Sequence, residues 1–211
     1  MPTRLCLTRH GETDWNRERR IQGHTDIALN PTGQEQARLL ADGLRDEAFD
    51  AIYASDLTRA FQTASACAQR LGLEVQPEPA LRERHYGDFQ GLTYAEAEVR
   101  FPDAYAAFHR RDPAAEFPGG GESLLRFYAR VARVLDMLAD RHRGGTLLVV
   151  THGGVLDMAH RLASTLPLTH KRDFALSNAT MNWLLREDGR WQILAWDERA
   201  HLDETTDELP G

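Results

Sequence analysis

Two of the histidines in this chain share a local setting: each ends a short apolar run and is followed by glycine. "RLCLT" leads into Arg9-His10-Gly11, and "TLLVVT" leads into His152-Gly153. A third run, "AIYA", opens into Ser55-Asp56-Leu57-Thr58-Arg59, and Glu83 follows a fourth, "LEVQ". Open α/β sheets bind ligands where the carboxyl ends of their strands emerge. His10, His152, Arg9, Arg59 and Glu83 are therefore expected to converge. That set suits a phosphate ester. The arginine fork matches phosphate oxygens and stays charged. A histidine flanked by such cations has its pKa lowered, which keeps the imidazole neutral and nucleophilic. A charge pair at about 4 Å, in an effective dielectric of about 20, is worth roughly 4 kcal/mol before desolvation. Two converging arginines can thus grip a phosphoryl group and stabilise its transfer. Taken singly, each residue also has a plainer reading: His-Gly as a turn, Arg59 as a solvated helix residue, Glu83 as a surface carboxylate. The ordered set at strand ends is what gives the pattern weight.

The elements that must carry these residues follow from periodicity. Short apolar runs alternate with longer amphipathic ones, which predicts an α/β fold: a three-layer α/β/α sandwich with a mostly parallel central sheet. Strands are expected at "RLCLT", "AIYA", "LEVQ" and "TLLVVT", and a closing hairpin about Asp188-Gly189. A helix is expected near Thr32, with Thr32 and Glu35 as a capping box, and others at 57–71, 122–142 and after His152. Between 86 and 121 the alternation stops. Two short helical patterns, one capped by Thr93 and Glu96, end in the glycine-rich "EFPGGGES". This stretch reads as a small helical cap inserted into one domain spanning 1–211. The tail "ERAHLDETTDELPG" reads as acidic and frayed.

The 211 residues are 42% hydrophobic and 27% charged, which fits one globular domain and argues against disorder. The net charge of −7 gives no footprint for nucleic acid. Cys6 and Cys67 sit in apolar settings and read as buried thiols, not a disulfide. No apolar run suits a signal peptide or a membrane span, so a soluble cytoplasmic protein is expected. The remaining histidines lack the strand-end context and read as surface or packing residues, save His85, which with Tyr86 is expected near the pocket. Trp15 reads as packing, and Arg17, Arg19 and Arg20 as a solvated face.

"LTRHGETDWNRERRIQG", "LNPTGQEQARLLADGL", "YASDLTRAFQTA", "LRERHYGDFQGLTYAE" and "VVTHGGVL" occur in order and together resemble the signature of the histidine phosphatase superfamily, in its phosphoglycerate mutase-like branch. The resemblance covers residues 3–197. It implies His10 as the nucleophile that becomes phosphohistidine. It implies Arg9, Arg59, His152 and Gly153 in the phosphate pocket, with Asn16 as a further contact and Gln22-Gly23 at the edge. Glu83 would protonate the leaving oxygen and then activate water. No metal or other cofactor is implied.

Hydrolase and mutase members share the phosphohistidine and differ in what receives the phosphoryl group. "ERHYGDFQGL" and Arg110-Arg111 are close to the mutase pattern. However, Tyr94 stands where that pattern has lysine, and Gly154 where it has asparagine. Losing two such donors weakens the grip on a second acidic group by roughly 1–3 kcal/mol each. The chain also resembles the compact phosphatase members. The expected function is hydrolysis of phosphomonoesters of small metabolites. The alternatives are a bisphosphoglycerate-dependent phosphoglycerate mutase and a non-catalytic module that binds phosphorylated ligands. The expected partner is a small phosphorylated metabolite, with neither nucleic acid nor membrane and with a homodimer left open.

Overall fold

The computed structural model describes residues 1–202. Six strands form one sheet: β1 (Thr3–Arg9), β2 (Ala51–Ala54), β3 (Val75–Pro77), β4 (Thr146–Thr151), β5 (Met181–Glu187) and β6 (Arg190–Glu198), in the order β3-β2-β4-β1-β5-β6. The first four run parallel, and β5 and β6 close one side antiparallel. The helices are α1 (Asp14–Arg17), α2 (Pro31–Gly43), α3 (Thr58–Leu71), α4 (Tyr94–Arg100), α5 (Pro102–His109), α6 (Leu124–Arg141) and α7 (Gly153–Ser164).

Alternate side chains of the central strands enter two apolar layers, as the two-residue period of a strand requires. Leu5, Leu7, Leu147 and Val149 pack with Phe127, Val131 and Leu135 of α6 and with Val155 and Leu156 of α7. Cys6, Leu148 and Val150 pack on the other face with Leu40 and Ala41 of α2 and with Ala60, Ala64 and Cys67 of α3. Both faces are therefore covered, which is why these strands read as unbroken apolar runs. The expected three-layer α/β/α arrangement is the one observed. Cys6 and Cys67 are both free and buried.

Several local expectations need correcting. The helix placed at Thr32 starts earlier. Asn30 is its N-cap, accepting from the Gly33 N–H at 2.8 Å, and Pro31 occupies the first turn. Asparagine is a strong N-cap and proline is preorganised for the first helical position. Glu35 instead pairs with Arg38. The third strand is Val75–Pro77, at the sheet edge where proline's missing N–H costs no ladder bond. Of the stretch read as a frayed tail, Glu198 ends β6 and Leu202 is buried against the core; residues 203–211 lie outside the described residues.

Residues 86–121 form the two short helices α4 and α5, and Thr93 and Glu96 make the expected capping box. Ile21, Phe89, Ala97 and Phe117 bury a third apolar cluster, flanked by Tyr86, Tyr94 and Phe108. This segment is tied to the chain after the first strand, where Ile21 N–H donates to Leu92 O and Gly91 N–H to Ile21 O. The chain after the first strand and residues 86–121 are thereby fixed to each other.

Candidate active site

Sheet register explains why distant motifs meet. β1 and β4 are parallel neighbours with Arg9 opposite Thr151, so the next residues, His10 and His152, emerge side by side. Their rings stand edge-on at 5.2 Å. The main chain of His10 is clamped on both sides: its N–H donates to Thr151 O at 2.9 Å, and Asn178 Nδ2 donates to its carbonyl at 2.7 Å. β2 flanks β4 with Ala54 opposite Val150, which brings Ser55 beside His152 and starts α3 with Arg59 in its first turn. Glu83 follows a short 3-10 turn, Pro79–Leu81, which Thr151 Oγ1 ties to the sheet through Leu81 O at 2.7 Å.

His10 has a defined tautomer. Its Nδ1 lies 2.7 Å from the Gly11 carbonyl, which can only accept, so Nδ1 carries the proton and Nε2 the lone pair. Arg59 Nε–H donates to that lone pair at 3.2 Å. Burial holds the His10 pKa well below the ordinary histidine value, and the Arg59 and Arg9 charges lower it further. The imidazole is thus neutral, with its free nitrogen turned to the cations.

The arginines are fixed by main-chain carbonyls. Arg59 donates to Thr25 O at 2.9 Å and Gly23 O at 2.8 Å, and Arg9 to Leu176 O at 2.8 Å. Burial pushes the Arg59 guanidinium down to about 10, which leaves it charged at neutral pH. Gly23 has φ +53, and a Cβ there would lie 2.2 Å from Gln90 Oε1. That oxygen accepts the His24 N–H at 2.7 Å, so glycine lets the loop close into the shape that presents its carbonyl to Arg59.

Glu83 is buried with both carboxyl oxygens engaged. Arg84 N–H donates to Oε1 at 2.7 Å and Gly154 N–H to Oε2 at 2.9 Å. Burial raises its pKa; the two N–H groups and the Arg59 and Arg9 charges pull it back. Its main-chain carbonyl is pinned from behind by His24 Nε2 at 2.8 Å and Arg130 at 3.1 Å.

Arg9, His10, Asn16, Gln22, Gly23, Arg59, Glu83 and Gly153 all line one cavity of about 820 Å³. Asn16 uses its Oδ1 to accept from Thr13 N–H in the α1 capping box. Gln22 Oε1 is buried without a protein partner. Gly153 opens α7, whose N-terminal N–H groups favour anions. His152 is not among the residues that line this cavity; its ring lies edge-on to that of His10, with Nε2 2.8 Å from Ser55 Oγ. Burial, followed by the Arg59 charge, lowers its pKa well below the ordinary value.

The outer wall contains residues that the strand-end reasoning missed. Tyr105, Phe108, Lys171 and Arg172 line it, along with Tyr86, Tyr94, Arg110 and Arg111. Arg19 and Arg20 also line it, whereas Arg17 pairs with Asp14. His85 does not reach the cavity; it packs edge-on against His24 at 4.9 Å. The aromatic spacing of α4 and α5 was a usable signal for the wall, but the irregular chain around Lys171 offered none. Among the described residues, no three His, Cys, Asp or Glu side chains converge to hold a metal, and no helix is long and apolar enough to cross a membrane.

The chain is 42% identical over 203 residues to phosphoglycerate mutase-like protein 4 of Arabidopsis thaliana, covering 95% of this chain and 87% of that protein. It is 39% identical to the metal-independent phosphoserine phosphatase of the same plant, over 95% of this chain and 83% of the relative. Among solved structures, phosphoserine phosphatase from Entamoeba histolytica in complex with 3-phosphoglyceric acid superposes with a TM-score of 0.84 at 29% identity, covering 95% of this chain and 99% of that one. The family model of the histidine phosphatase superfamily, branch 1, matches residues 5–199, and the chain belongs to that family.

Proposed function

We propose that this protein hydrolyses phosphomonoesters of small acidic metabolites through a phosphohistidine at His10. The observation that carries the reading is the lone pair of His10 Nε2, held in one tautomer against Arg59 at a residue that lines the same cavity as Arg9 and Glu83. Arg59 Nε–H caps that lone pair until a phosphoryl oxygen takes over the donor. Nε2 then attacks phosphorus in line as the ester P–O bond breaks. Arg9 and Arg59 spread the charge on the equatorial oxygens. Glu83, whose pKa burial raises, gives its proton to the leaving oxygen when protonated. Left as a carboxylate, it takes a proton from the incoming water, whose oxygen displaces Nε2 and releases inorganic phosphate. His152 packs edge-on against the His10 ring.

The second reading is phosphoryl transfer between phosphoglycerates, and the name of one relative and the Arg110-Arg111 pair favour it. Tyr94 and Gly154, in place of the lysine and asparagine of the mutase pattern, favour hydrolysis. Rapid-quench mass spectrometry with phosphoserine, 3-phosphoglycerate and an aryl phosphate tests both. Hydrolysis predicts a phosphorylated His10 peptide and release of phosphate from all three. A phosphoenzyme stable in water and discharged only by a phosphoglycerate would establish the mutase instead.

A further inference from the structure

Residues 82–86, which carry Glu83, belong to no helix or strand, so no ladder of main-chain bonds fixes them. They are held instead from α6 and the chain that leads into it. Arg130 Nη1 donates to Ala80 O and to Arg82 O, both at 2.8 Å, and Nη2 donates to Glu83 O at 3.1 Å. Glu122 aims this guanidinium, accepting from Nε at 2.9 Å and from Nη2 at 2.7 Å. All five N–H donors of Arg130 are thus spent, three on carbonyls and two on one carboxylate. Glu122 also reaches the stretch itself. Its Oε2 accepts the His85 N–H at 3.0 Å, and its main-chain N–H donates to His85 O at 2.8 Å.

We infer that Arg130, aimed by Glu122, is a positioning residue for the acid–base step: the pair fixes the main chain on both sides of Glu83 and so sets where its carboxyl group can reach. The inference rests on the reading of Glu83 as proton donor and acceptor. Neither Arg130 nor Glu122 lines the cavity, so neither touches the ester. The mount is rigid, because the guanidinium lies over the ring of Phe127 at 5.0 Å, and Phe127 is buried in the core. A planar fork of donors can satisfy several carbonyls and a carboxylate at once, which the point charge of a lysine cannot match.

Other ties keep the segment attached when Arg130 is lost. His24 Nε2 reaches Glu83 O at 2.8 Å, Thr151 Oγ1 holds Leu81 O, and Arg82 pairs with Asp56 at 2.6 Å. Removing Arg130 therefore loosens the seat of the acid without detaching it. A displacement of about 1 Å at a reacting group can cost about 10²-fold in rate.

The test is Arg130→Met, which keeps a stem over Phe127 and removes every donor. It is assayed on an alkyl phosphate, whose leaving oxygen needs a proton, and on an activated aryl phosphate, whose leaving oxygen needs little help. The expected result is kcat/KM on the alkyl ester lowered about 10- to 100-fold, within the range for general acid catalysis, and clearly less loss on the aryl ester. Competitive inhibition by inorganic phosphate should stay within about threefold of the parent, since the phosphate pocket is untouched. Arg130→Lys keeps the charge opposite Glu122 and should show the same pattern at a smaller size. Arg186→Met is the control: it breaks a similarly buried pairing, between β5 and Asp136 and Asp140 of α6, and should leave all three readings unchanged. Equal loss on both esters, or an equal pattern in Arg186→Met, would overturn the inference. So would unchanged kinetics in Arg130→Met, or in Arg130→Lys where Arg130→Met does not fold. In a Glu83→Gln background, Arg130→Met should cost nothing more on the alkyl ester; a further full loss would mean that it does not act through Glu83. If Glu83→Gln alone slows both esters equally, the acid assignment fails and takes this inference with it. Failure confined to the Arg130 variants leaves the role of Glu83 intact.

Discussion

The inner end of the cavity and its outer wall are built by different means. At the inner end, Arg9, His10 and Arg59 are 2%, 3% and 0% exposed, and all bond to main-chain carbonyls that the sheet and neighbouring loops hold in place. On the outer wall, Arg20 and Arg111 each reach one carbonyl, but Arg20 is a third exposed and also pairs with Glu18 and Glu96, Arg111 also pairs with Asp157, and Tyr86, Tyr94 and Phe108 pack through ring contacts. Carbonyl anchors cannot change with a point substitution elsewhere, whereas ring contacts and surface ion pairs can be exchanged one residue at a time. The inner end is thus suited to a fixed reaction on phosphorus, and the wall to choosing which ester arrives.

The strongest challenge to that division is His10→Ala. With no lone pair to attack phosphorus, turnover should fall by about four orders of magnitude or more, in the range known for removed nucleophiles. The phosphorylated peptide should vanish, and ligand binding should persist. A variant that still turns over at the parent rate would move the reaction away from the inner end altogether.

Arg59→Ala should follow, with kcat/KM reduced about 10²- to 10³-fold, the usual cost of removing a preorganised donor from a transition state. Because Arg59 also caps Nε2 and holds two carbonyls, kcat and KM should both worsen, on every ester alike. A loss that depends on the identity of the ester would place Arg59 functionally with the wall.

A pH titration reads the inner end without any ligand. His10 and His152 are both kept below the ordinary histidine value, first by burial and then by the Arg59 charge. In the unfolded chain they take up protons near about pH 6.5. Below that pH the unfolded state binds more protons than the native one, so stability falls as the solution is acidified. Glu83 acts in the opposite sense. Its raised pKa means that the native state binds the extra proton, a contribution present at low pH and lost as pH rises through the native value. Burial lowers His24, His160 and His201 as well, so the histidines outweigh the one carboxyl and the unfolding temperature should drop between about pH 7 and 5.5, before most exposed carboxylates titrate. His152→Gln should flatten that slope. An unchanged slope would mean that His152 is not held neutral by its surroundings.

The division also separates what could be read in the sequence from what could not. The inner end was legible because a strand that ends in a reactive residue and glycine is a local pattern, and parallel register does the rest. The same logic brought His152 against His10, but adjacency in the sheet does not say which of the two rings faces the cavity. Arg130 and His24 gave no signal at all: each acts through the carbonyl of Glu83, and a side chain that binds a carbonyl far along the chain leaves no spacing to detect. The helix at Pro31 was misread at its start because Thr32 and Glu35 imitate a capping box that the stronger Asn-Pro pair pre-empts. The wall residues Lys171 and Arg172 lie in irregular chain, where periodicity is silent.

The smallest effect expected is at Arg110, and it is the sharpest test of how far the inner end extends. Arg110 and Arg111 both line the cavity, but only Arg111 has its guanidinium committed, to Asp157 at 2.8 Å and to Leu168 O at 2.8 Å. Arg110 is exposed at the rim. A solvated cation of this kind contributes about 0.2–1 kcal/mol to an interaction with an acidic ligand. Arg110→Ala should therefore raise KM for a carboxylated ester no more than about fivefold, leave kcat unchanged and spare a neutral aryl ester. Salt at about 0.5 M, where the screening length is only a few ångströms, should erase the difference between variant and parent. A fall in kcat that survives such salt would show Arg110 gripping the reacting group beside Arg59, and the boundary between fixed chemistry and adjustable wall would have to be redrawn to include α5 and the residues after it.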